Sequence, residues 1–200
     1  MKLKLRTFFP LIVIAFIGCV VVWWKVTYPS YSFHYKITVE IETPEGIKSG
    51  SAVREVTVSR QPKIGDAPSV IFDVRGEAVA VDLGQRGVVF SLINWDSDRD
   101  VYYALNTMDK NKLKVGMKAI LPNNPYFPQF VTFTDLNDPT TLLRLSYGDL
   151  SEVFGEGIKT KRVIVEITDD PVEYKIDSLI NRFGGSSGMY HRDMFQRKGN

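Results

Sequence analysis

From Phe8 to Trp24 the chain runs for 17 residues without a charge, FFPLIVIAFIGCVVVWW. Extended to Thr7 and Val26 the stretch has 20 residues, ~30 Å as an α-helix, which matches the hydrocarbon core of a bilayer. Pro10 falls near its start, where a missing N–H costs little. Trp23, Trp24 and Tyr28 stand where an aromatic belt meets the far interface, and Lys25 can snorkel to the same level. Phe8, Pro10, Cys19, Trp23, Trp24 and Tyr28 are therefore expected to form the membrane anchor.

Two other fates compete for this run. A cleaved signal peptide calls for a small-residue site such as Ala-x-Ala, and none follows the apolar stretch. Lipoprotein processing calls for a small residue before cysteine, and Gly18-Cys19 supplies one. However, Phe16 stands where leucine is usual, and Val20–Trp24 is apolar where such proteins turn polar. The plain reading of Cys19 is a small apolar side chain in a membrane helix.

Charge orients the span. Residues 1–25 hold Lys2, Lys4, Arg6 and Lys25 and no acid. Three of those bases precede the run, which puts the N-terminus in the cytoplasm and the body outside it, in the periplasm of a Gram-negative cell. Residues 26–183 hold 18 bases against 22 acids, and the last 17 residues hold three bases against one acid. A mildly acidic body argues against nucleic-acid binding. The apolar share of 44% argues against disorder. One cysteine rules out an internal disulfide and a cysteine-based zinc site, and His34 and His191 offer little for a histidine cluster.

The body reads as β-rich. Tyr35–Glu42 alternates, with Ile37, Val39 and Ile41 on one face. After the turn signature Thr43-Pro44-Glu45-Gly46, Ser51–Ser59 forms the second arm of a hairpin with a loop of several residues, Val53 being the first of its valines. Val70–Val74 is a short strand. Glu77–Leu83 and Val88–Ile93 read as a central hairpin whose second strand is buried on both faces. Ala78 and Ala80 mark a face made for close packing. A short helix over Val101–Met108, a strand at Phe130–Thr134, a capped helix from Asp149 to Phe154 and a strand at Arg162–Thr168 follow. Asp170-Pro171-Val172-Glu173 opens an amphipathic helix carrying Ile176, Leu179, Ile180 and Phe183, which the Ala78/Ala80 face can receive. Gly184 stops it, and a basic, mobile tail remains.

The expected fold is α+β: a single N-terminal transmembrane helix, then a mainly antiparallel sheet domain with a C-terminal helix packed on it. The expected divisions are 1–26 (basic start and span), 27–34 (linker), 35–183 (extracytoplasmic domain) and 184–200 (tail).

Motifs for chemistry are weak. Asp96-Ser97-Asp98-Arg99-Asp100 resembles half a calcium loop, but Val101 and Thr107 stand where glycine and glutamate belong. The plain reading is a solvated turn that caps the next helix. Gly155-Glu156-Gly157-Ile158-Lys159 lacks the glycine before lysine of a phosphate loop, so it reads as a helix end leading into a strand. Asp169, Asp170 and Glu173 suit a helix N-terminus. His34 has no partner legible in sequence that would orient it as a base. No catalytic residue, cofactor or metal ligand is assigned. Tyr126 and Phe127, centred in the proline-rich loop Pro122–Pro128, are the candidate contact residues.

Thr43–Gly46 with Ser49-Gly50-Ser51, Arg75–Gly84, Val131–Phe133 and Arg162–Pro171 together resemble a group of uncharacterised proteobacterial proteins, each with one N-terminal membrane segment. The resemblance spans roughly residues 35–180 and brings no activity with it. It implies a bacterial source and one integrated domain after the anchor. The expected role is a non-catalytic envelope interaction module with lipid and an envelope protein as partners. A periplasmic domain binding a small molecule or cell-wall fragment, and an enzyme, are the alternatives.

Overall fold

Every second side chain in the middle of the first strand is buried, and this period fixes the larger sheet. A computed structural model describes residues 5–93, 99–107, 109–122, 128–146, 148–172, 174 and 196–197. After helix α1 (Leu5–Thr27), strand β1 (Ser30–Thr43) buries Tyr35, Ile37, Val39 and Ile41. It pairs antiparallel with β9 (Lys159–Thr168), setting Tyr35 opposite Ile167, Ile37 opposite Val165 and Val39 opposite Val163. Both apolar series therefore meet on one face. Charges line the other face. Arg162 donates to both carboxylate oxygens of Glu40 at 2.8 and 3.2 Å, and Lys118 lies 3.1 Å from Glu166.

Six strands form this sheet in the order β10 (Gln196–Arg197), β3 (Val70–Glu77), β2 (Gly46–Arg60), β1, β9 and β6 (Lys118–Ile120). The first connection is tighter than expected. Pro44-Glu45 alone separates β1 from β2, because Gly46 adopts φ +119° and Thr43 Oγ1 donates to its carbonyl at 2.7 Å. Two placements differ from the sequence divisions. β1 begins at Ser30, inside the stretch read as a linker, and Gln196–Arg197 pairs with Glu77 and Gly76, inside the stretch read as a mobile tail.

The second sheet has the order β4 (Val79–Asp82), β5 (Val88–Ser91), β7 (Phe130–Phe133) and β8 (Leu142–Leu145), again antiparallel. The central hairpin is β4–β5, and Val88 through Ile93 are all buried, as a continuous apolar run requires. Ala78 joins Val88, Phe90, Leu92 and Val131 in one cluster, with Ala80, Phe133, Leu136 and Leu142 packed on it. Among the described residues, Ala78 and Ala80 thus pack against the sheet's own neighbours. Gly50 of β2 sits against the Ala80 backbone: a Cβ at residue 50 would stand 2.0 Å from the Ala80 carbonyl oxygen.

Helix α2 (Arg99–Leu105) ends earlier than expected, because Asn106 turns to φ +52°. Helix α3 (Ser151–Phe154) is anchored by the Asp149 carboxylate, which accepts from the Ser151 amide at 2.9 Å and from its hydroxyl. Gly155 at φ +103° closes it and leads into β9, the plain reading of that glycine pair. Pro171, Val172 and Tyr174 are not helical, so no helix starts where the Asp170-Pro171 signature placed it. Residues 175–183, which carry most of the expected apolar stripe, lie outside the described residues.

By contacts the chain divides into two compact units, residues 1–31 with 57–72, and residues 32–56 with 73–200. The first holds α1 and the segment from the end of β2 to the start of β3. The second holds both sheets' remaining strands, α2 and α3.

Candidate functional site

Three places draw attention: helix α1, a buried ionic junction and a groove beside His34. Pro10–Thr27 of α1 is long and apolar enough to cross a membrane, and none of it is buried by the protein. Ile14 and Phe16 are about two-thirds exposed, and Trp23 and Trp24 about half. A helix with none of its apolar window buried is not packed as the core helix of a folded domain. At its end Tyr28 N donates to Trp24 O at 2.8 Å. The Tyr28 ring lies 4.8 Å from that of Trp24 and 6.4 Å, edge-on, from that of Trp23. The aromatic residues singled out in the sequence therefore form one cluster. Pro10 lies within α1, Cys19 is exposed on it, and Phe8 belongs to it by backbone. Tyr126 and Phe127 lie outside the described residues.

Sequence reasoning missed the ionic junction. Arg54 of β2 is fully buried and its Nη1 meets Asp100 Oδ2 of α2 at 2.9 Å. Its Nε donates to the Glu77 carbonyl at 3.2 Å, and Nη2 reaches the carbonyls of Ser91 and Leu92 at 3.3 and 3.4 Å. Tyr35, also fully buried, donates its hydroxyl to Asp100 Oδ2 at 3.3 Å. One guanidinium thus ties β2, the end of β3, β5 and α2 together. Gly76, at φ +139°, makes room for it, since a Cβ there would meet Arg54 Cγ at 3.0 Å and the Val53 carbonyl at 2.9 Å. The signal was present in the period. Arg54 is in phase with Ala52, Val56 and Val58 on the buried face of β2, whereas Val53 points the other way with Glu55 and Thr57. Asp100, read as part of a solvated acidic turn, is 1% exposed and committed to Arg54. The rest of that turn, residues 94–98, lies outside the described residues. Among the described residues, no three His, Cys, Asp or Glu side chains gather as a metal site would need.

Burial, and after it the Asp100 carboxylate, pushes the Tyr35 phenol far above the usual tyrosine range, against the opposing pull of Arg54. The sign follows from linkage. The raised folded-state value leaves this contribution intact below the unfolded tyrosine value, ~10, and removes it as pH climbs beyond that. Tyr35→Phe is expected to make the alkaline fall in Tm shallower. Unfolding scans between pH ~9 and ~11.5 cover the onset of that window. An unchanged slope would remove Tyr35 from the buried network.

The groove, about 350 Å³, is lined by Phe33, His34, Leu113, Val115, Thr168 and Asp169 among others. His34 Nδ1 lies 2.8 Å from the Asp170 carbonyl oxygen. A carbonyl only accepts, so Nδ1 carries the proton and Nε2 holds the lone pair in the neutral ring. The orienting partner absent from the sequence reading is thus main chain, supplied from 136 residues away. Asp170 is itself placed by its amide, which donates to Thr168 Oγ1 at 3.0 Å.

No family model, no curated protein and no solved structure matches the chain.

Proposed function

We propose that this chain is a single-pass protein of the bacterial inner membrane, with a cytoplasmic N-terminus and a periplasmic domain that acts as a non-catalytic interaction module. The observation that carries the reading is the uncovered apolar surface of α1. An apolar helix of that length, left bare in water, exceeds what soluble proteins expose, and lipid removes the cost. The bases ahead of the run give the orientation. The resemblance to single-anchor proteobacterial proteins agrees with it. Interaction is favoured over catalysis because Arg54, Asp100 and Tyr35 are sealed from solvent and occupied in joining strands. The contact residues in this reading are Tyr126 and Phe127.

Photo-crosslinking in intact cells, followed by mass spectrometry, tests the reading with the full chain and with a form exported without residues 1–26. One stoichiometric envelope partner is expected, and Tyr126→Ala with Phe127→Ala is expected to abolish its capture. Unaltered capture by the double variant would take that loop out of the interface. No partner with either form would leave the groove beside His34 as the better guide, and with it a domain that binds a small molecule or a cell-wall fragment. The volume of that groove lies at the lower end of the range for ligand sites.

A further inference from the structure

The unit that contains α1 also contains a loop built to hold an isoleucine in the open. Strand β2 ends at Arg60 beside the start of β1: Arg60 N donates to the Pro29 carbonyl at 3.2 Å, and the hydroxyls of Ser30 and Ser59 meet at 3.0 Å. Pro29 directly follows Tyr28, whose ring packs on Trp24. The loop after β2 therefore leaves the sheet at the end where α1 enters it. That loop is braced. Gln61 N donates to the Ser69 carbonyl at 3.0 Å, Gln61 Nε2 to the Pro68 carbonyl at 2.7 Å, and Ala67 N to the Ile64 carbonyl at 3.1 Å. The last of these closes a turn over Ile64, Gly65 and Asp66, and Gly65 supplies the φ of +58° that it requires.

Loop tips in water carry polar side chains. This one presents Ile64 at 74% exposure, and Ile71 and Phe72 follow at 42% and 38% where β3 begins. Within the loop Arg60 and Lys63 are exposed against one acid, Asp66, and the acid that follows Phe72, Asp73, lies 3.5 Å from Arg75. Large apolar side chains flanked by bases, on the side of an aromatic belt, match the interface of an anionic membrane, where acyl chains and headgroups satisfy both kinds of group.

We propose that Arg60–Phe72 is a second membrane contact, with Ile64 inserted below the headgroups and Arg60 and Lys63 on anionic lipid phosphates. The inference rests on the reading of α1 as a membrane span. It makes the domain lean on the bilayer at two points instead of hanging from one.

Fluorophore depth in vesicles separates the two claims. The full chain with Cys19→Ser is labelled with an environment-sensitive dye after Ile64→Cys, after Val20→Cys within α1, or after Ile47→Cys at the opposite end of β2. It is reconstituted in mixed phosphatidylethanolamine and phosphatidylglycerol carrying shallow or deep lipid quenchers. The label at position 64 is expected to lose roughly half its emission to the shallow quencher, since interfacial elements enter ~5–10 Å. The label at 47 should lose none. Quenching at 20 without quenching at 64 overturns the second contact and leaves the span standing. Quenching at neither overturns both. A label at 64 shielded from aqueous iodide but untouched by lipid quenchers shows a protein covering the loop, and that also overturns the proposal.

Discussion

Arg54→Ala is expected to cost the fold about 3–5 kcal/mol, because it strands the buried Asp100 carboxylate without its counter-charge. That is a large part of the ~5–15 kcal/mol by which domains are stable. Three carbonyls, of Glu77, Ser91 and Leu92, lose their donor in the same step. Arg54→Met with Asp100→Leu should recover only part of the loss. It removes both charges, but the three carbonyls still lack the donors that the guanidinium supplied. Arg54→Lys fares little better, since one ammonium cannot span the fork that reaches four acceptors. Urea unfolding of the detergent-solubilised chain measures the effect. A loss below about 1 kcal/mol, the worth of an exposed pair, would mean that the junction is not sealed. Arg162→Ala, which breaks an ion pair on the solvated face of the sheet, serves as the control and is expected to change the midpoint little.

Ile17→Arg is expected to reduce membrane insertion roughly 100-fold, because a mid-span arginine costs ~2.5–3.5 kcal/mol on insertion scales. Ile17 lies in the centre of the uncharged run and is more than half exposed, so no neighbouring side chain can shelter the charge. Carbonate extraction of membranes reads the outcome as a shift from pellet to supernatant. The same substitution should leave the unfolding midpoint of the β domain unchanged, since no part of Pro10–Thr27 is buried in the protein. An arginine variant that remains in the pellet at wild-type level would count against a span.

Period-two patterning was the legible part of this fold. Ile37, Val39 and Ile41 on β1 and Val163, Val165 and Ile167 on β9 alternate cleanly, and they do face the same side of one sheet. The unbroken run Val88–Ile93 told of burial on both faces. What sequence left open was decided by contacts far apart in the chain. The division into two sheets depends on which edges pair, and β8, whose Leu142–Leu145 has no clean alternation, becomes a strand only beside β7. Gln196–Arg197 sits in a Gly/Ser-rich, basic setting that favours disorder, yet the β3 edge gives those two residues a partner. His34 gains an acceptor from the Asp170 main chain, which no side-chain motif encodes. Arg54 carries the charge of an exposed residue but the phase of a buried one. A lone arginine at an inward position between Ala52 and Val56 must have a buried acid to meet, and Asp100 is that acid.

The junction around Arg54 also prescribes how distant kin of this chain can be found. Gly50 is forced by the Ala80 carbonyl, Gly76 by the arginine stem, and Asp100 by the guanidinium. These four positions follow one another as glycine, three residues, arginine, 21 residues, glycine, 23 residues, aspartate. Surface strands and loops are free to drift until pairwise identity is gone. A spaced profile built on these four letters, with the valine phase of β2 between them, should still detect the architecture where whole-chain comparison falls silent.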